Sequence, residues 1–162
     1  MTGGYAARVS DFVITPVGVG DAGEIFTLQR AAFVSEAQLY GRADIPTLTQ
    51  TLDELTGELA SNLAVKATLG HRIVGAGRAR PDGTTLHIGR LIVAPDQQGR
   101  GIGTRLLTAL EDLAPPATRT FALFTGHLSV GNLRLYERLG YVEAGREAMG
   151  PGVTRVHLTK GR

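Results

Sequence analysis

The stretch that most limits what this chain can fold into is Gln98-Gly-Arg-Gly-Ile-Gly-Thr104, where three glycines separate two segments of different periodicity. Ahead of it, Thr85-Leu-His-Ile-Gly-Arg-Leu-Ile-Val93 is rich in β-branched residues and reads as a strand. Behind it, Thr104–Leu113 places Leu106, Leu107, Leu110 and Leu113 at i, i+1, i+4 and i+7, the apolar stripe of an amphipathic helix. Strand, glycine loop and helix together form an anion cradle. Glycines let the backbone approach a phosphate with no Cβ in the way, and the first-turn N–H groups and the positive end of the helix dipole hold the charge. The same loop is also compatible with a plain helix cap, so the rest of the chain must decide.

The remaining segments arrange themselves around that unit. Asp11–Pro16 is a short apolar run read as β1, and Asp21 with Glu24 has capping-box spacing ahead of a helix whose stripe, Leu28, Ala31, Ala32, continues to Leu39 before Gly41 and Pro46 break it. Thr51 with Glu54 opens a second helix ending near Ala60. Leu63–Leu69 (β2) and Arg72–Arg80 (β3) form a hairpin across Gly70-His71, and Pro81-Asp-Gly83 turns into β4, Thr85–Val93. After the Leu-rich helix, Pro115-Pro116 is a stop, Thr120–Thr125 is β5, Asn132–Leu139 is a short helix closed by Gly140, and Tyr141–Glu147 (β6) with Val153–Lys160 (β7) is a last hairpin. Residues 1–162 read as one domain with its core between about 12 and 160; the length supports a single well-buried core and no internal repeat divides it.

Two phosphate motifs fail on inspection. A P-loop needs Lys followed by Ser or Thr after its last glycine, where Thr104-Arg105 stands, and a dinucleotide fingerprint needs a small residue where Leu106 stands. The pattern left, Val-x-Pro followed by Gln-x-x-Gly-x-Gly, resembles the pyrophosphate loop of the GCN5-related N-acetyltransferases. A second segment resembles the same family: Asn132-Leu-Arg-Leu-Tyr136 followed by Gly140-Tyr141, with Asn and Tyr four apart on one helical face. The resemblance runs from about Phe12 to Lys160 and is strongest from Leu91 to Tyr141. It implies a mixed α/β acyl-CoA N-acyltransferase fold, a mostly antiparallel sheet splayed between β4 and β5 and flanked by helices. It also implies acetyl-coenzyme A as co-substrate, bound by Leu91, Ile92, Val93, Gln98, Gly99, Arg100, Gly101, Ile102, Gly103, Thr104, Asn132 and Tyr136.

In the family a bulge in β4 frees a backbone N–H for the thioester oxygen, here near Leu91, and a tyrosine matching Tyr136 protonates the departing thiolate. Many members carry a glutamate fourteen residues before the glycine matching Gly101; this chain has His87, a candidate general base because histidine titrates near neutrality. His127, after β5, competes for that role, and ordered water is the third option. Acceptor choice in such a fold falls to Ser35–Pro46 and Glu147–Gly152, where Glu36, Asp44, Asp53 and Glu54 suit a cationic amine and Tyr40 suits a ring, although acidic residues on helices commonly just face solvent.

The expected reaction is therefore direct acetyl transfer to the primary amine of a small molecule, an aminoglycoside-type antibiotic or other polyamine being the specific version. The alternatives are a peptide or protein N-acetyltransferase and an acyl-CoA sensor without turnover. With no cysteine the chain offers no thiolate nucleophile to carry the acetyl group, and no His, Asp or Glu spacing resembles a metal site. A net charge of +2 without a basic run argues against nucleic acid, and no secretory leader or membrane-length apolar run is present, so a cytoplasmic protein is expected. Homodimers are common in the fold; no surface stripe in the sequence marks an interface.

Overall fold

The computed structural model describes residues 12–162 and builds them around one seven-stranded sheet in the order β1-β2-β3-β4-β5-β7-β6. The strands are β1 Val13–Pro16, β2 Leu63–Leu69, β3 Arg72–Asp82, β4 Thr85–Val93, β5 Thr120–Gly126, β6 Val142–Gly150 and β7 Val153–Gly161. The helices are α1 Ala22–Tyr40, α2 Pro46–Thr49, α3 Leu52–Ser61, α4 Ile102–Asp112 and α5 Val130–Arg138. Asp11, expected to open β1, lies outside the described residues.

Neighbouring strands are antiparallel except β4 and β5, which run parallel and pair only over Thr85–His87 against Thr120–Ala122. Beyond His87 the two strands part, each still paired on its outer side, β4 with β3 and β5 with β7. The expected splay between β4 and β5 is therefore present. On β3, added Cβ atoms at Gly75 would lie 2.8 Å from Ile102 and 2.9 Å from Leu106 of α4. Arg78, of the opposite parity, reaches Gln29 of α1. Successive strand residues face opposite ways, so α4 and α1 cover opposite faces of the sheet.

The core runs through both layers: Ile25 and Leu28 of α1, Leu55 of α3, Val65, Val74, Leu86, Ile88 and Ile92 of the sheet, and Leu106, Leu107 and Leu110 of α4 are all buried. Each such leucine contributes about 1.5–3 kcal/mol by leaving water. Leu113, expected to extend the stripe, is the C-cap of α4 and stays 44% exposed.

Local departures from the sequence expectations have identifiable causes. The Asp21 carboxylate does not cap α1; it accepts the Gly18 N–H at 2.6 Å and pairs with Lys66 at 2.7 Å. Burial there pushes its pKa up, but Lys66 and the Gly18 N–H outweigh this and leave it lowered. Glu24, the other half of the expected box, accepts the Ile73 N–H at 2.8 Å and ties α1 to β3. Tertiary partners thus outbid the local motif. Thr51 does cap α3, accepting from the Glu54 N–H at 3.2 Å. Pro46, read as a breaker, instead opens the four-residue α2, where its missing N–H has no intrahelical partner to lose. Pro81 lies within the end of β3, and the turn to β4 falls at Gly83-Thr84. β6 runs three residues past Glu147, so the last turn is only Pro151-Gly152.

Candidate active site

Where β4 leaves β5, β4 is irregular. Ala76 pairs with Ile92 and Arg78 with Gly89, so Arg90 and Leu91 together face the single residue Gly77. This is a β-bulge. Arg90 has φ +50°, the one non-glycine residue in the left-handed region among those described. The bulge falls at the position expected for it, beside Leu91.

Two chambers meet at this bulge. The first, about 360 Å³, follows Leu91, Ile92 and Val93 to Gln98, Gly99, Gly101, Ile102, Gly103 and Thr104, with Asn132 and Leu135 of α5 across from them. Gly99 and Gly101 have φ +77° and +80°, conformations that other residues adopt only at a cost of about 1–2 kcal/mol. Gly101 is the N-cap of α4, and the first backbone bond of that helix runs from Arg105 N–H to the Gly101 carbonyl. The N–H groups of Ile102, Gly103 and Thr104 precede it and are left for a ligand. A Cβ on Gly103 would lie 3.3 Å from Leu135, so this glycine sets how closely α5 approaches the loop. Arg100, exposed on the same loop, is not among the residues that line this chamber. Arg138, in the last turn of α5, does line it, and the sequence reading missed it because it stands outside the Asn-Tyr motif.

The second chamber, about 500 Å³, lies inside the opening between β4 and β5. Gly89, Arg90 and Leu91 form one wall, and Leu123–Gly126 of β5 with Val153, Thr154 and Arg155 of β7 form the other. Glu36 and Tyr40 of α1, Arg42 and Asp44 beyond it, and Met149 of β6 also line it. The two chambers share Phe33, Glu36, Leu91 and Asn132. Asn132 donates to the Thr125 hydroxyl at 3.3 Å, and Tyr136, one turn on, lines the second chamber.

Tyr136 is 6% exposed, and its hydroxyl makes no hydrogen bond among the described residues. Burial, then the nearby Glu36 charge, push its pKa up to about 12. It therefore holds its proton at neutral pH and presents a donor. Glu36 accepts the Ser129 hydroxyl at 2.7 Å, and Ser129 in turn meets the Tyr40 hydroxyl at 2.9 Å. The Leu128 N–H donates to Tyr40 at 2.9 Å. This relay crosses Gly126, where a Cβ would stand 2.0 Å from the Tyr40 oxygen; no other residue leaves that path open. Tyr40 thus serves as a brace, and its ring meets that of His127 at a tilt, with centroids 5.9 Å apart.

The two histidine candidates stand apart from this arrangement. His87 lies in the paired end of β4 and lines neither chamber; its Nε2 is 3.7 Å from the exposed Asp82. His127 accepts the Thr154 N–H on Nδ1 at 3.0 Å and fastens the end of β5 to β7. It lines neither chamber either. Asp53 and Glu54 also fall outside, on the exposed side of α3. Among the described residues no three His, Asp or Glu side chains gather into a metal site, and no helix is long and apolar enough to cross a membrane.

Comparison with known proteins agrees with this geometry. Three solved structures share the fold at low identity. A GNAT family acetyltransferase from Elizabethkingia anophelis, with acetyl-CoA bound, has a TM-score of 0.71 at 20% identity over 94% of this chain and 99% of its own. The PaiA N-acetyltransferase of Thermoplasma acidophilum, in complex with coenzyme A, scores 0.73 at 15% identity over 90% and 97%. The ribosomal-protein-S18-alanine N-acetyltransferase of Escherichia coli scores 0.76 at 16% identity over 93% of each chain. A search of curated protein sequences finds no match. The family model described as an acetyltransferase (GNAT) domain matches residues 36–161, which takes in the bulge, the glycine loop and α5 together, and the chain belongs to the GNAT acetyltransferases.

Proposed function

We propose that this chain moves an acetyl group from acetyl-coenzyme A directly onto the primary amine of a small molecule held in the second chamber. The observation that carries the small-molecule reading is the approach of two segments beside that chamber. Arg42 Nη1 comes within 3.7 Å of where a Cβ on Gly150 would stand, so the Arg42 side chain after α1 reaches the end of β6. A protein acceptor would need an open groove there.

The first chamber suits the donor. Backbone N–H groups at the start of α4 and the glycine backbone of Gly99–Gly103 would hold the pyrophosphate, with Gln98, Thr104 and Arg138 at its sides. Ile92, Val93 and Asn132 would hold the pantetheine arm. When bound, acetyl-coenzyme A supplies an activated acetyl thioester. The bulge interrupts the ladder at Arg90 and Leu91, and the Leu91 N–H would donate toward a carbonyl oxygen that gains negative charge. Tyr136 donates its hydroxyl proton toward the leaving sulfur. Its raised pKa keeps the hydroxyl protonated at neutral pH until the thiolate forms beside it, so the donor is in place when the sulfur gains charge. Glu36, shared by both chambers, attracts and orients the incoming amine. Neither histidine lines the site, so the amine's proton leaves through water, with Glu36 as its nearest carboxylate.

An aminoglycoside or polyamine would call for a surplus of acidic side chains. The chamber lining has Glu36 and Asp44 against Arg42, Arg90 and Arg155, which does not favour a polycation. The test is calorimetric titration of acetyl-coenzyme A followed by free-thiol release with amines, amino acids, aminoglycosides and short peptides. Turnover on a small amine supports the reading; turnover confined to peptides overturns it, and binding without any turnover favours a sensor.

A further inference from the structure

We propose that the acceptor is a small zwitterion, an amine carrying a carboxylate of the amino-acid class, gripped at its anionic end by Arg90 and Arg155. The inference rests on the small-molecule reading above and names the substrate class for that chamber.

The charges around the chamber can be paired off. Arg42 meets Asp44 at 3.0 Å. Arg78, behind the wall, meets Glu58 at 3.1 Å. Arg155 stands 4.0 Å from Glu147, an exposed residue that also faces His157 at 3.2 Å, while its guanidinium lies over the Phe124 ring at 4.1 Å. Two groups remain. Arg90 makes no side-chain hydrogen bond or ion pair among the described residues. Glu36 meets only the neutral Ser129 hydroxyl. One lone cation and one lone anion therefore line the same cavity.

Arg90 is half-buried and sits at the strained turn of the bulge, φ +50°. A guanidinium held part-way out of water without a counter-ion carries a desolvation cost. Burial first, and then the charge of Arg155, pull its pKa down, while Glu58 opposes this. Two arginines of like sign on opposite walls of the opening are the arrangement that a carboxylate, accepting from both forks, turns from repulsive to favourable. Glu36 at the junction with the donor chamber suits the ammonium end before it loses its proton. A cavity lined by both signs suits a molecule with an amine at one end and a carboxylate at the other, and a chamber of about 500 Å³ holds one of amino-acid size.

The decisive measurement is thiol release from acetyl-coenzyme A with common amino acids, the amide of each, the matching decarboxylated amine, and a short peptide. The expected result is a kcat/KM for an amino acid about 10- to 100-fold above its amide and its decarboxylated amine. Arg90→Gln and Arg155→Gln should each raise the acceptor KM about tenfold or more, with kcat and acetyl-coenzyme A affinity within about twofold, and Arg90→Lys should recover part of the loss. Amides or simple amines used as well as the acids overturn this inference and leave the small-molecule reading standing. Acetyl-coenzyme A binding with no release for any small acceptor overturns both. The comparison of acid with amide uses the unaltered protein, so a variant that fails to fold does not shield the proposal.

Discussion

The two chambers are built in different ways although they share a wall. The chamber proposed for the donor comes mainly from one continuous piece of chain, Leu91–Thr104, and offers backbone N–H groups fixed by glycine conformations. The chamber proposed for the acceptor draws on α1, the segment after it, β4, β5, α5, β6 and β7, and offers mainly side chains. A backbone-built site tolerates most side-chain changes and fails when a φ angle is forced. A side-chain-built site keeps its shape but changes preference with each residue. The contrast teaches where sequence specifies chemistry class and where it specifies substrate.

Substitutions can sharpen or break that contrast. The largest effect is expected from Tyr136→Phe, which keeps the buried ring and removes the donor: kcat should fall about 100-fold or more with acetyl-coenzyme A affinity within about twofold. An unchanged kcat removes Tyr136 from the chemistry. Gly101→Asp should weaken acetyl-coenzyme A binding at least about tenfold, since it forces a side chain into φ +80° and sets a carboxylate where N–H groups await an anion. Calorimetry reads this directly, and unchanged affinity would remove the loop from donor binding.

Gly126→Ala should do the reverse, leaving donor affinity intact while displacing Tyr40 and releasing Ser129 and Glu36. A loss of about 1–3 kcal/mol is expected in thermal or urea unfolding, together with a raised acceptor KM. Equal damage to both chambers would mean that they are mechanically one. Alkaline titration offers a finer cut. Tyr136 keeps its proton to about pH 12 in the folded chain, against 10.0 for an unperturbed tyrosine, because of burial and then Glu36. Its contribution to stability is complete below pH 10 and disappears as pH rises through about 12, so Tyr136→Phe should flatten the fall in melting temperature over that window. The smallest effect is expected from His87→Ala: kcat within about twofold at neutral pH. A large loss would return His87 to the role of base.

The same contrast explains what could be read in advance. The glycine loop was legible because it is local, glycines set ahead of a helix stripe at Leu106, Leu107 and Leu110, whereas the splay and the position of the bulge came only with the family resemblance, by counting back from that loop. Glu36 and Tyr40 were legible as candidates, yet the part of Tyr40 as a brace was not, because it depends on the empty space at Gly126, 86 positions away along the chain by number. Arg90 went unnoticed because nothing in a sequence marks a strand residue that will take φ +50°. His87 was promoted by its position in a count, while its geometry follows from the paired end of β4, where the cleft has not yet opened. The Asp21–Glu24 pair had correct capping spacing and still lost to Lys66 and Ile73, partners that only the folded sheet supplies.

The brief pairing of β4 with β5 also bears on how the molecule avoids sticking to its own kind. Where the two strands part, the sheet has four borders instead of two, and unpaired strand borders invite other chains to add on. The inner pair, Ile88–Val93 and Leu123–Gly126, turn toward each other across the opening rather than toward the outside of the sheet. The outer border at β6 has no such shelter, being exposed along its whole length. The opening that makes room for chemistry thus turns two borders toward each other, and leaves β1 and β6 as the outer borders where unwanted strand addition has to be resisted.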